Sequence, residues 1–127
     1  MYQATTPASA EETVAALKAG VESAGLRLVT HINGQANAAL IGKEVPADQI
    51  LEIFRPDFAI RVWSACKPAG IDIPLRIHVY TDAAGATVVA CRRPSEVFEP
   101  YGSADLMVVA ADLEPLFDTI LAAVPGA

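Results

Sequence analysis

Residues 69–94 read AGIDIPLRIHVYTDAAGATVVACRRP. From Leu75 to Thr81, apolar Leu75, Ile77 and Val79 alternate with Arg76, His78 and Tyr80, the period of a β-strand with one apolar and one polar face. Pro74 stands ahead of this run, where its missing amide removes no ladder hydrogen bond. Asp82-Ala83-Ala84-Gly85 turns the chain, with Gly85 suited to the left-handed position of a short hairpin loop, and Ala86 to Arg92 returns as the partner strand. A hairpin with an apolar face must bury it against another layer, so helices are sought on either side.

Upstream, Arg55-Pro56-Asp57 opens a helix carrying Phe58, Val62 and Ala65, with Trp63 and Cys66 beside them; Pro56 suits the first helical position and Asp57 the positive helix end. Gln49 to Phe54 precedes it as a strand. Ala36, Ala39 and Leu40 form a short helix between the Asn33-Gly34 turn and Gly42, its small side chains suited to close packing on a sheet. Leu26 to Ile32 is a strand in which Leu26, Leu28, Thr30 and Ile32 alternate with Arg27, Val29 and His31. Ser9 with Glu12 is a capping box for a helix from Ala10 to Ala24, ended by Gly25, and Tyr2 to Thr6 offers a fifth strand. Downstream, Pro94-Ser95-Glu96 begins a helical turn, and Leu106 to Ala111 fits a strand or a buried helix equally. A final helix is expected from Asp112 as cap, through Leu113, Leu116, Phe117, Ile120, Leu121 and Val124, with Pro115 in its first turn. The expected fold is a two-layer α+β domain spanning residues 1–127, a mostly antiparallel sheet of four or five strands with helices on one face.

Composition bounds the function. The 127 residues are 53% hydrophobic and 19% charged, enough apolar content for a packed core without disulfide or metal staples. Fifteen acidic against nine basic residues leave a net charge of -6, which argues against nucleic-acid partners. No apolar run reaches the roughly 18 residues of a membrane span, and Met1 to Ala10 lacks the pattern of a signal peptide, so no membrane partner and a cytoplasmic setting are expected. Cys66 and Cys91 are then expected to stay reduced. A mean hydropathy of +0.36, with apolar side chains on both faces of the returning strand (Val88 and Ala90 against Val89 and Cys91), points to a homodimer.

Candidate chemistry gathers on the hairpin. If Thr81 pairs with Ala86, then Arg76 faces Cys91 and His78 becomes its diagonal neighbour, so that two cations flank a thiol. His78 and Cys91 are therefore the catalytic candidates, and Arg76, His78, Tyr80 and Cys91 form a candidate ligand face. Arg92 and Arg93 extend it, because two guanidinium groups before a helix start can hold a small anion; a solvated pair compensating Glu96 and Glu99 is the plainer reading. The only soft or imidazole ligands, His31, Cys66, His78 and Cys91, are spaced by 35, 12 and 13 residues, unlike a structural zinc site, so no metal and no cofactor is expected. Trp63 fits core packing, an interface or the wall of a pocket for a flat ligand. The leading reading is a binding or regulatory module, a homodimer that presents a cleft to a small ligand or a protein. Its alternatives are a small thiol-dependent or sulfur-handling enzyme using Cys91 with His78, and a structural homodimer without ligand.

The segment GIDIPL at 70–75, the hairpin after it, TVVACRRP at 87–94 and the order of elements around them resemble the domain-of-unknown-function family 302. That resemblance implies a two-layer α+β fold, commonly dimeric, and no established reaction. Many members have Asn-Pro where this chain has Arg55-Pro56, and Asp-His where it has Asn33-Gly34, so ligand chemistry served by those residues does not carry over. Gly70, Asp72, Pro74 and Leu75 match as backbone punctuation.

Overall fold

A computed structural model of the chain describes residues 1–126. Its strands are β1 (Tyr2–Thr6), β2 (Arg27–Asn33), β3 (Asp48–Phe54), β4 (Leu75–Thr81) and β5 (Thr87–Cys91), and its helices are α1 (Ala10–Ser23), α2 (Gly34–Ala39), α3 (Pro56–Ala65), α4 (Pro94–Phe98) and α5 (Ala104–Leu121). Two 3-10 turns, Lys67–Asp72 and Glu99–Tyr101, lie beside β4 and α4. The strands form one antiparallel sheet in the order β1-β5-β4-β3-β2, an α+β architecture.

Alternation along the strands sorts the sheet into two faces. Leu51 and Ile53 of β3, Leu75, Ile77 and Val79 of β4, and Val89 and Cys91 of β5 join one core with Val14, Leu17 and Val21 of α1, Phe58 and Val62 of α3, and Leu113, Phe117 and Ile120 of α5. All three helices therefore cover that face, and the burial of so many Leu, Ile, Val and Phe side chains is the main force holding the two layers together. The opposite face carries Thr30 and Ile32, Asp48, Ile50 and Glu52, Arg76, His78 and Tyr80, Val88 and Ala90, and Gln3 and Thr5. Val88, 4% exposed yet outside the helix-side core, is buried among its neighbours on this second face.

Local signals explain the element ends. The Ser9 hydroxyl accepts the Glu12 amide at 3.0 Å, capping α1 as its spacing predicts, and Gly25 follows at φ +73°. The segment 106–111, open between strand and helix in the sequence, is helix. Ser103 caps it through the Leu106 amide, and Leu106, Val109, Ala110, Leu113 and Phe117 keep one helical stripe on the core. Asp112 is thus an interior residue of α5, ion-paired with Arg61 of α3 at 2.6 Å, rather than the cap of a separate helix. Pro115 is tolerated inside α5 because it and Ala111, whose carbonyl it leaves unpaired, both face solvent.

Three further expectations are corrected. In β2, Leu28 pairs with Ile53 on the core face but Thr30 pairs with Glu52 on the open face, so a bulge at Val29 breaks the alternation of Leu26, Leu28, Thr30 and Ile32. Helix α2 buries none of its side chains and leaves Leu40 and Ile41 after it 84% and 76% exposed, so it does not pack its alanines closely on the sheet. The β4–β5 hairpin pairs Thr81 with Thr87, one residue beyond the expected Ala86. Asp82 is the cause. Its amide bonds the Ala86 carbonyl at 2.9 Å while its carboxylate accepts the Ala84 and Ala86 amides at 3.0 and 2.9 Å. Asp82 thereby becomes part of the closing pair and leaves a three-residue loop, Ala83 to Gly85, with Gly85 at φ +84°.

Candidate functional site

The hairpin register decides which candidate residues meet. With Ile77 opposite Cys91 and His78 opposite Ala90, Cys91 turns to the helix layer while Arg76, His78 and Tyr80 turn to the open face. The expected His78–Cys91 neighbourhood is therefore not formed. Cys91 is 2% exposed, and burial pushes its thiol up to about 12, with the Arg93 charge pulling it only part of the way back. Both cysteines are free thiols.

Arg92 and Arg93 also part company. Arg92, just past β5, is exposed and lines the same open-face groove as Arg76, whereas Arg93 lies against α5, paired with Asp118 and with Glu114 at 3.8 Å, its guanidinium 5.9 Å from the Tyr2 ring. Arg93 thus pairs directly with Glu114 and Asp118, and reaches Glu96 only through its charge. The start of α4 is already supplied with anions. The Arg93 amide donates to Glu96 at 3.1 Å and the Ser95 amide to Glu114 at 2.7 Å, so these amides are not free for a ligand.

The open face holds a groove of about 740 Å³. It begins at the sheet end where the chain enters β4 and leaves β5, and runs along the floor made by Arg76, His78, Tyr80, Ala90, Gln3 and Ile50. Arg92 completes that floor, which Cys91 also borders, the turn Lys67–Asp72 gives one wall through Ile71 and Asp72, and α4 gives the other through Glu96 and Val97. Pro100, between them, belongs to the turn that presents Tyr101, whose hydroxyl donates to Asp72 and ties the two walls together. That bond raises the Tyr101 phenol above its ordinary value. The rings of His78 and Tyr80 stack with centroids 4.5 Å apart.

Charges within the groove are mostly paired. Arg76 reaches Glu52 at 3.2 Å and His78 Nε2 reaches Asp48 at 2.9 Å, each across one strand to β3. Glu96 accepts the Met1 amino group at 2.6 Å, and this contact, with the Arg93 amide, holds its carboxyl below the usual carboxylate range. Four of the six predicted ligand residues, Arg76, His78, Tyr80 and Arg92, therefore share one surface, while Cys91 and Arg93 turn away from it.

Gln3, Ile50, Asp72, Glu96 and Val97 were not foreseen. Their signal is long-range: β1 pairs with β5 and β3 with β4, and only those pairings bring Gln3 and Ile50 to the floor. A smaller groove of about 370 Å³ lies between α1 and the β2–β3 edge, where His31 Nε2 contacts the buried Gln49 Oε1 at 2.6 Å. Trp63 is outside both, 45% exposed on α3 against Gly70 and under Lys67. Among the described residues no three His, Cys, Asp or Glu side chains gather as a metal site, and no helix is long and apolar enough to cross a membrane.

Comparison with known proteins agrees with the fold. A crystal structure titled as an uncharacterized conserved protein DUF302 from Bacillus stearothermophilus superposes with a TM-score of 0.83, covering 97% of this chain and 96% of that one at 21% identity, a likeness of fold. No curated protein matches the chain. The profile of the domain of unknown function DUF302 matches residues 2–124, nearly the whole sequence, and the chain belongs to that family.

Proposed function

We propose that this protein is a small-molecule binding module whose ligand lies in the groove on the open sheet face. The observation that carries the reading is the convergence there of Arg76, His78, Tyr80 and Arg92 with the apolar Ile50, Ile73, Pro74 and Val97 in a concavity of about 740 Å³, within the ordinary range for ligand sites. The groove combines cations, rings and an amide, while the thiol that would make it a nucleophilic site points into the core. This supports binding over thiol catalysis. A cytoplasmic setting belongs to the same reading and accords with two unpaired cysteines.

N-phenyl-1-naphthylamine, an uncharged probe whose fluorescence rises in apolar sites, tests it. Wild type should bind the probe, and Ala90→Phe, which fills the floor between His78 and Gln3, should weaken binding about tenfold while leaving the far-ultraviolet spectrum unchanged. Absence of binding, or binding indifferent to a folded Ala90→Phe, overturns the reading.

Self-association as a homodimer is the second part of the proposal. It is favoured by the apolar side chains left exposed around the β2 edge, Val29, Ile32, Leu40, Ile41 and Val45. Light scattering after size exclusion should give twice the 13.3 kDa chain mass, and Leu40→Glu with Ile41→Lys should return it to one. A single-chain mass for wild type at tens of micromolar refutes the dimer.

A further inference from the structure

We infer that the groove takes an amphipathic anion, with a carboxylate, sulfonate or phosphate head at Arg92 and an apolar body between Ile71 and Ile73 on one wall and Val97 on the other. The inference rests on the binding reading above and adds the chemical class of the ligand. This chain is short of cations, and its carboxylates claim most of the arginines: four of the six, Arg55, Arg61, Arg76 and Arg93, are ion-paired. Among the described residues Arg27 and Arg92 have no carboxylate partner, and only Arg92 lines the groove.

The neighbours of Arg92 sharpen the point. Arg76, beside it on the same face, is answered by Glu52, and the His78 ring by Asp48. The two lining carboxylates are also engaged, Asp72 by the Tyr101 hydroxyl and Glu96 by the Met1 amino group. An incoming cation would have to displace one of those bonds, whereas an incoming anion meets a guanidinium with all five donors uncommitted. The apolar half of the ligand follows from both walls: Ile71 is 85% exposed at the rim of one, near the partly buried Ile73, and the partly buried Val97 stands on the other. Apolar surface of this kind is stabilised by being covered, so a wholly polar anion such as inorganic phosphate would leave half of the groove unused.

Two probes with the same ring system separate the claims: 8-anilinonaphthalene-1-sulfonate, which carries a sulfonate, and N-phenyl-1-naphthylamine, which does not. At low ionic strength the sulfonate probe should bind wild type about tenfold more tightly than the neutral one. Arg92→Gln should abolish that difference and leave the neutral probe unaffected, while Arg92→Lys should keep most of it. Arg27→Gln, an equal change of net charge outside the groove, should change neither affinity. If the neutral probe binds but the sulfonate adds nothing, or if Arg27→Gln acts like Arg92→Gln, the anion assignment is wrong and the binding reading stands. If neither probe binds, both fall.

Discussion

The hairpin register makes a quantitative statement about Cys91. Burial raises its thiol to about 12, against about 8.5 for a free cysteine. At pH 8 the thiolate fraction is then about one in ten thousand, compared with about a quarter for the unperturbed group, a drop of some three orders of magnitude. A more basic thiolate is also more nucleophilic, with a Brønsted slope of about 0.4–0.5, which returns roughly one and a half of those orders. The net chemical effect is a slowing of about 30- to 100-fold, and the 2% exposure of the residue adds to it, since reagent reaches the sulfur only through an opening of the β5 end. Iodoacetamide labelling at pH 8, read by peptide mass spectrometry, should therefore modify Cys91 at least about 50-fold more slowly in the native protein than in the same protein unfolded by guanidinium. His78→Ala and Arg76→Ala should leave the native rate unchanged, because both side chains lie across the sheet from the sulfur. Labelling within threefold of the unfolded rate, or a clear slowing in His78→Ala, would show that the sulfur faces the groove and that the register is wrong.

The same thiol sets an alkaline limit. Its folded value lies above its unfolded one, so its contribution to stability is complete below about pH 8.5 and lost as pH rises towards 12; denaturant midpoints measured across that range should fall less in Cys91→Ala than in wild type. Ile77→Ala, at a fully buried site between Leu51 and Cys91, should cost about 2–5 kcal/mol by urea unfolding, and a loss under about 0.5 kcal/mol would contradict the core assignment. Asp82→Ala removes the acceptor of two loop amides and should destabilise by about 1–3 kcal/mol, with amide exchange of Ala84 and Ala86 accelerated; unchanged exchange there would reject its role in closing the hairpin. The Glu96 carboxyl is held low by the Met1 amino group and the Arg93 amide, so its contribution is present above the ordinary glutamate value and lost as pH falls through the lower folded one; Glu96→Gln should flatten the acid limb of the stability profile, and an unaltered limb would discount the contact.

Elements whose signals are local were legible from the residues. Ser9 with Glu12 marks the start of α1 because the capping contact spans three residues, and the alternation through Leu75, Ile77 and Val79 marks β4 whatever surrounds it. The register of the hairpin was not legible, because it depends on whether the Asp82 side chain turns back onto the loop amides, a choice of rotamer rather than of composition. Helix α5 shows a different difficulty. Asp112 is an attractive cap by type, but Ser103 nine residues earlier holds the role, and only tertiary burial of Leu106, Val109 and Ala110 distinguishes helix from strand over 106–111. In the groove, Arg76, His78 and Tyr80 were found together since one strand face carries all three. Gln3 and Asp72 come from distant segments and become visible only when β1 docks on β5 and Tyr101 binds Asp72.

The carboxylate of Glu114 at the start of α4 is a tethered competitor. It meets the Ser95 amide at 2.7 Å from a neighbouring helix, so its effective concentration there is set by the fold and lies at millimolar or above. A free anion arriving at Pro94-Ser95 must displace an intramolecular rival that never dilutes, and must do so beside Glu96 and Asp118, whose charges repel it. The two consecutive arginines are thereby given separate destinies just past the end of β5: Arg93 is saturated from within, and solutes meet Arg92 alone. Deleting the internal rival by Glu114→Gln would free the Ser95 amide yet leave Arg93 held by Asp118, so Arg92 would remain the one arginine of the pair that a solute can address.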